Sequence, residues 1–267
     1  LMEKKVTAVA FDYIQDESGS FPIVRSMSEI AGTSAILIAA ELLSSSAGGR
    51  GVLMGGIAGV SPTQVVIIGA GTVAEFAARS AMALGASVQV FDNSIARLRR
   101  IQSDLNLRVA TSILQPKVLE KALKRADVAI GALRAESGRT PCVITEEMVQ
   151  KMKSKAVIVD VSIDQGGCFE TSEITNHETP TFTKHDVIHY CVPNIASRSA
   201  KTASYSLSNI LAPILLKLGD GGGVQGMLLR SPNIRGGVYV YNGIITNKGI
   251  GTWFGLPHKE IRLLLGL

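Results

Sequence analysis

The sequence predicts an α/β protein: a doubly wound parallel sheet of about six strands, bracketed by two long helices leading to an incomplete second domain. Three observations carry this reading. Short Val- and Ile-rich runs alternate with helical patterns from Val65 to Val192. Such runs are apolar on both faces, as expected for parallel strands covered on both sides by helices. A long helical pattern stands at either end of that stretch, and a glycine turn, Gly69-Ala70-Gly71, joins its first strand to its first helix.

In chain order, Val6–Tyr13 reads as a buried strand with nothing before it to pair with, so the chain reads as an excerpt of a longer one. Ser26-Met27-Ser28-Glu29 has capping-box spacing, and the apolar run after it continues to Leu43 before Gly48 and Gly49 stop it. That spacing predicts a helix of about 18 to 20 residues. A glycine-rich connector, Gly48–Gly59, leads into strand Val65–Ile68, helix Val73–Leu84, strand Val88–Phe91, helix Ile95–Leu105 and strand Arg108–Thr111. Helix Lys117–Arg125, strand Val128–Ala132, helix Glu146–Met152, strand Val157–Ile163 and strand Val187–Val192 complete the alternation. Ala200–Leu218 is a second long helical pattern, with Pro213 expected to kink it and Gly219–Gly223 to close it. In the tail, Asn242-Gly243 between Val238–Tyr241 and Ile244–Thr246 signals a type I′ hairpin.

Composition narrows the function classes. With 46% hydrophobic and 18% charged residues over 267 positions, and a mean hydropathy of +0.27, the chain has a sizeable core and is not disordered. An aromatic share of 5% argues against an all-β sandwich. The net charge of +5 would suit nucleic acid, but the Lys and Arg residues lie on helix faces between acidic ones, so no nucleic-acid partner is expected. Cys142, Cys168 and Cys191 form no CxxC pair and no even disulfide framework, which points to a reduced, cytoplasmic setting. The longest apolar stretch, Ala31–Leu43, is broken by Gly32, Thr33, Ser34 and Glu41 and reads as too short and too polar for membrane insertion; no signal peptide is visible.

The chemistry begins at Gly69-Ala70-Gly71-Thr72-Val73-Ala74, after an apolar strand and at the opening of a helix. This is the setting of the Rossmann dinucleotide fingerprint. Gly69 permits the tight turn, Gly71 lets backbone approach a pyrophosphate, and Ala74 is small enough for close helix-to-strand packing. The helix amino terminus then offers amide donors to phosphate. Asp92 ends the next strand about 20 residues on, where a carboxylate can accept the ribose hydroxyl protons and repel a 2′-phosphate, favouring NAD over NADP. Arg97, one turn into the following helix, either offsets that preference or is a solvated helix residue beside Arg99 and Arg100. A second constellation, Val159–Glu170 (VDVSIDQGGCFE), ends a strand in a carboxylate followed by two glycines, which puts Asp164 at the carboxyl edge of the sheet, where ligands of open α/β sheets bind. A turn-capping aspartate fits that spacing equally well.

The segments Met27–Gly32, Gly51–Gly56, the GAGTVA turn, Asp164–Glu170 (DQGGCFE) and His189-Tyr190-Cys191-Val192 resemble the alanine dehydrogenase family, which includes the nucleotide-binding part of nicotinamide nucleotide transhydrogenase. The match runs in order from about Ile14 to Leu218. The resemblance implies five stretches: 1–26, the end of an amino-terminal substrate-domain segment; 27–47, an interdomain helix; 48–197, a Rossmann NAD-binding domain; 198–218, a second interdomain helix; and 219–267, the carboxy-terminal segment of the substrate domain. By the same resemblance Ser28, Gly69, Gly71, Thr72, Val73, Asp92, Arg97, Leu133, Ile163, Asp164, Val192, Asn194 and Ile195 line an NAD site. Asp164, the one catalytic candidate, sits beside the reacting nicotinamide and substrate carbon. No metal is implied. The family's substrate-binding Arg and Lys and its acid/base His belong to an amino-terminal stretch with no counterpart here, and His177, His185, His189 and His258 are expected to be structural or exposed. Cys168 is expected to be a buried structural thiol.

The implied activity is NAD-dependent interconversion of L-alanine with pyruvate and ammonia, by a homo-oligomer that is a hexamer in dehydrogenases and a dimer in transhydrogenases. The alternatives are a transhydrogenase NAD-binding subunit and a non-catalytic NAD-sensing module. Leu114, Arg134 and the Ser197-Arg198 pair depart from the dehydrogenase pattern, the last leaning toward transhydrogenases.

Overall fold

A computed structural model describes residues 1–105, 108–134, 139–220 and 222–267. In chain order its elements open with β1 (Ala8–Val9) and α1 (Pro22–Leu42). There follow β2 (Gln64–Ile68), α2 (Thr72–Ala83), β3 (Ser87–Phe91), α3 (Ile95–Leu105), β4 (Ala110–Ser112), α4 (Pro116–Leu123), β5 (Val128–Gly131), α5 (Glu146–Gln150) and β6 (Val157–Asp160). The chain continues through β7 (Thr181–Lys184), β8 (Val187–Tyr190), α6 (Ala200–Asp220), α7 (Gly223–Arg230), α8 (Pro232–Arg235), β9 (Val238–Tyr241), β10 (Ile244–Ile245), α9 (Lys248–Phe254) and α10 (Ile261–Leu265). Two units result: Ser28–Ala200, and Leu1–Met27 together with Lys201–Leu267.

The larger unit is the expected α/β fold. Its sheet runs β4-β3-β2-β5-β6-β8-β7, with β4 through β8 parallel in that order and β7 antiparallel at the edge. Seven strands replace the expected six. The additional one, β7, hairpins onto β8 through His185 and Asp186, whose φ angles of 54° and 59° give a two-residue turn with both central residues left-handed. Residues other than Asn-Gly at such a turn hide it from a sequence reading.

Alternation along the central strands feeds two cores. Val65 and Ile67 of β2, Val90 of β3, Ile130 of β5 and Val159 of β6 pack with α1, α2 and α3 on one face. Val66, Ile68, Phe91, Ala129 and Ile158 pack with Leu119 and Leu123 of α4 and Val149 of α5 on the other. The central strands β2, β5 and β6 are therefore near-continuous apolar runs, because both of their faces are covered.

Helix α1 begins at Pro22, four residues before the expected cap at Ser26. Proline suits the first turn, where its missing N–H breaks no bond. Ser26 instead lies inside the helix, its hydroxyl donating to the Ile23 carbonyl at 3.0 Å. At 21 residues, α1 is longer than the apolar stretch marked in the sequence, and it is apolar enough by length and composition to cross a membrane. Its composition has another cause here: Ala31, Ala35, Ile36, Ile38 and Ala39 are buried against the sheet. Gly32 meets the backbone of α2 so closely that a Cβ would collide with the Val73 carbonyl oxygen.

The smaller unit holds the antiparallel sheet β1-β9-β10 over a cluster of Ile14, Met227, Leu228, Ile234 and Val238. The Asn242-Gly243 turn forms with φ of 47° and 83°. Of the strand expected over Val6–Tyr13, only Ala8–Val9 pairs, on the open edge of β9, and Phe11–Tyr13 coils into a 3₁₀ turn. Helix α6 passes through Pro213 and ends at Asp220. Of the glycines expected to close it, Gly221 lies outside the described residues.

His189, in the middle of β8, is fully buried, stacked on Phe182 with ring centroids 4.7 Å apart. Its Nδ1 donates to the Val187 carbonyl at 3.0 Å, which leaves Nε2 to accept from the Thr171 hydroxyl at 2.8 Å. Burial pushes its pKa down to about 4 from an ordinary 6.5. The unfolded chain therefore binds the extra proton first, and the stability contributed by neutral His189 is present above about pH 6.5 and drains away as pH falls toward 4. Urea unfolding at pH 7.5 and pH 4.5 should show that His189→Gln loses less stability on acidification than the native protein, by up to about 3 kcal/mol. Equal losses would contradict this assignment.

Candidate dinucleotide site at the carboxyl edge of the sheet

Strand β2 ends where the exits of its two neighbours part. After it the chain turns at Gly69, with φ of +115° and an amide donating to the Phe91 carbonyl at 2.6 Å. A Cβ on Gly69 would collide with the backbone of Ala132, just past β5, so glycine is required for approach as well as for φ. Gly71 caps α2 with an ordinary φ of −85°, and a Cβ there would meet nothing within 4 Å. The space above Gly71 is thus open, and the first-turn amides of Thr72 and Val73 that follow it lack helical acceptors. Ala74, fully buried, seats α2 against the sheet.

Asp92, just beyond β3, is only 4% exposed. Its Oδ2 accepts from the Ala70 amide at 2.8 Å and its Oδ1 from the Ser94 amide at 2.7 Å. The carboxylate is thereby fixed beside the glycine turn, with lone pairs remaining for hydroxyl donors. Arg100 of α3, whose position the sequence did not single out, donates to the Ala70 carbonyl at 3.1 Å. Arg97, an exposed residue one turn earlier, donates its amide to the Ser94 hydroxyl at 3.3 Å. Ser28 lies one turn before Gly32, the residue of α1 that touches Val73.

The other half of the edge is built from the exits of β5, β6 and β8. The strand expected over Val157–Ile163 stops at Asp160, because that carboxylate accepts the Ser162 amide and turns the chain into a 3₁₀ segment, Val161–Gln165. Asp164 consequently stands on a turn and is exposed. Gly166 and Gly167, with φ of 101° and 78°, close the turn. The Ser162 hydroxyl donates to the Leu133 carbonyl at 2.8 Å, and the Asn194 amide donates to Asp164 Oδ1 at 2.8 Å. Asn194 takes a left-handed conformation, φ 52° and ψ 50°. These two bonds bring Leu133, Ile163, Asp164 and Asn194 together. Val192, Ile195 and Ile163 are buried, giving this half an apolar floor beside one exposed carboxylate.

Leu114 packs at the rim of the second core, Arg134 is exposed, and Arg198 pairs with Glu41 of α1 at 2.7 Å. Cys168 and Cys191 are buried, and burial raises both thiols, Cys191 to about 12 and Cys168 well above its ordinary range, so neither is a nucleophile at neutral pH. Among the described residues no three His, Cys, Asp or Glu side chains gather as a metal site. Open space over Gly71, free helix amides, a fixed carboxylate and an apolar floor fit a dinucleotide.

Residues 35–248 match the family model described as "Alanine dehydrogenase/PNT, C-terminal domain". Alanine dehydrogenase of Mycobacterium tuberculosis (strain CDC 1551 / Oshkosh) is 39% identical over 260 residues, covering 97% of this chain and 70% of that protein. A solved L-alanine dehydrogenase superposes with a TM-score of 0.89 at 35% identity, over 96% of this chain and 70% of that one. A transhydrogenase structure from Sinorhizobium meliloti, at 19% identity and a TM-score of 0.73 over 91% of this chain and 66% of that one, shares the fold.

If Asp92 holds a ribose, Asp92→Ala weakens NADH binding by about 1 to 3 kcal/mol and relaxes discrimination against NADPH. Titration of NADH and NADPH fluorescence checks both. Unchanged affinity together with unchanged selectivity would remove Asp92 from the site.

Proposed function

The chain belongs to the alanine dehydrogenase/PNT family, and from that premise we propose that it is the NAD-binding portion of an NAD-dependent oxidoreductase interconverting L-alanine with pyruvate and ammonia. The observation that carries the reading is Gly71, open to a ligand at the amino terminus of α2 and next to a peptide gripped by Asp92. The names of the relatives supply the substrate class.

When bound, the nicotinamide supplies the hydride chemistry; the chain's residues hold and orient it. Gly69 shapes the turn, and the amides at Gly71, Thr72 and Val73 take the pyrophosphate. Asp92 accepts the adenosine ribose hydroxyls, with Arg97 at the outer wall and Ser28 on the neighbouring helix. Leu133, Ile163, Val192 and Ile195 wall the nicotinamide end and exclude water, and Asn194 fixes the turn opposite Asp164. Asp164 stands beside the reacting carbon, where a carboxylate favours the positive charge that develops as an amine is oxidised toward an imine. In this reading the substrate carboxylate and the proton are handled by the family's amino-terminal segment, and the complete enzyme is a cytoplasmic homo-oligomer.

The test compares the 267-residue chain with the same chain joined to the family's amino-terminal segment. The short chain binds NADH and forms none from L-alanine and NAD, because positioning and acid/base help are each worth orders of magnitude. The joined chain turns over, and Asp164→Ala lowers its kcat by about 100-fold or more. A joined chain that binds NADH but never oxidises alanine contradicts the proposal. Robust turnover by the short chain would move the chemistry onto Asp164 or a histidine.

A further inference from the structure

We infer that Asp160, buried beneath the turn that carries Ile163 and Asp164, is a positioning residue for the nicotinamide end of the cofactor; this rests on the dinucleotide reading above. Asp160 ends β6 and is 1% exposed. Its Oδ1 accepts from the Ser162 amide at 3.0 Å. Its Oδ2 accepts from the Cys168 amide at 3.0 Å and the Ser172 hydroxyl at 2.7 Å. The Cys168 thiol adds a weaker donor at 3.8 Å. These donors come from both ends of the 161–168 turn and from the segment after it, so one carboxylate closes the turn on itself.

The enclosure is tight. A Cβ on Gly131, at the end of β5, would collide with Asp160 Oδ1, and one on Gly167 would lie 2.7 Å from Oδ2. Burial raises the Asp160 pKa, while the Ser172 hydroxyl and the turn amides pull the other way. Amide donors cannot accept in return, so an uncharged asparagine presents N–H to N–H on one side and frees an end of the turn. Asp160 touches no cofactor position itself; it acts through Ile163 and Asp164, and through Asp164 on Asn194. The adenosine end hangs on a different carboxylate, Asp92, at β3. Disturbing Asp160 should therefore leave adenosine recognition alone.

That separation makes the inference testable with NADH and ADP-ribose, which lacks the nicotinamide. Asp160→Asn weakens NADH about tenfold and Ser172→Ala about threefold, while ADP-ribose affinity stays within about twofold in both. Calorimetric titration of each ligand reads the split, with circular dichroism confirming folding. If Asp160→Asn does not fold, Ser172→Ala, which removes one hydroxyl, decides. Equal weakening of both ligands, or unchanged NADH affinity in a folded variant, overturns the inference. A native chain that binds neither ligand overturns the dinucleotide reading itself.

Discussion

Everything at the carboxyl edge of the sheet depends on how closely the backbone after β2 passes the backbone after β5. No Cβ fits at Gly69, because the Ala132 carbonyl already occupies its place. The Gly69 and Ala132 amides meanwhile bond across to Phe91 and Ile68. With the ladders completed that far, β2 and its neighbours stop together and the loops beyond them separate. A crevice opens there because the sheet reverses its direction of winding between β2 and β5. Helix α2 then points its free amides into the crevice, and Gly32 lets α1 lie directly on the first turn of that helix.

Two carboxylates hold the two halves of the crevice, by the same device. Asp92 takes the amides of Ala70 and Ser94; Asp160 takes those of Ser162 and Cys168. In each case a side chain at a strand end replaces the ladder that has just run out, and charge-assisted bonds of this kind contribute roughly 1.5 to 3 kcal/mol apiece. The two differ in what they leave over. Asp92 keeps unfilled lone pairs beside an open turn and suits a ligand, whereas Asp160 is enclosed by Gly131, Gly167 and Ser172 and serves the protein.

Much of this was legible in the sequence because local chemistry and global fold agree. The glycine fingerprint, the Val/Ile runs and the Asn242-Gly243 turn each have one structural solution, and the chain adopts it. The features that are not legible in the sequence lack a local signal. The β7–β8 turn uses His185 and Asp186 where asparagine and glycine would announce it. Ser26 carries a capping pattern that Pro22 pre-empts one turn earlier. Arg100 is one arginine among three on α3 until Ala70 comes beside it in space. Asp160 did leave a trace, a carboxylate within the run Val157–Ile163, but only the fold reveals that it ends the strand.

The central claim, that Gly71 opens onto a bound dinucleotide, is tested most directly by adding the single carbon that the protein itself has room for. At Gly71 the φ of −85° suits alanine, and a Cβ would touch no protein atom within 4 Å. Gly71→Ala should unfold at the native temperature to within about 2 °C yet lose NADH affinity by about tenfold or more, because only a ligand fills that space. Native affinity for NADH in a normally folded Gly71→Ala protein would contradict the account.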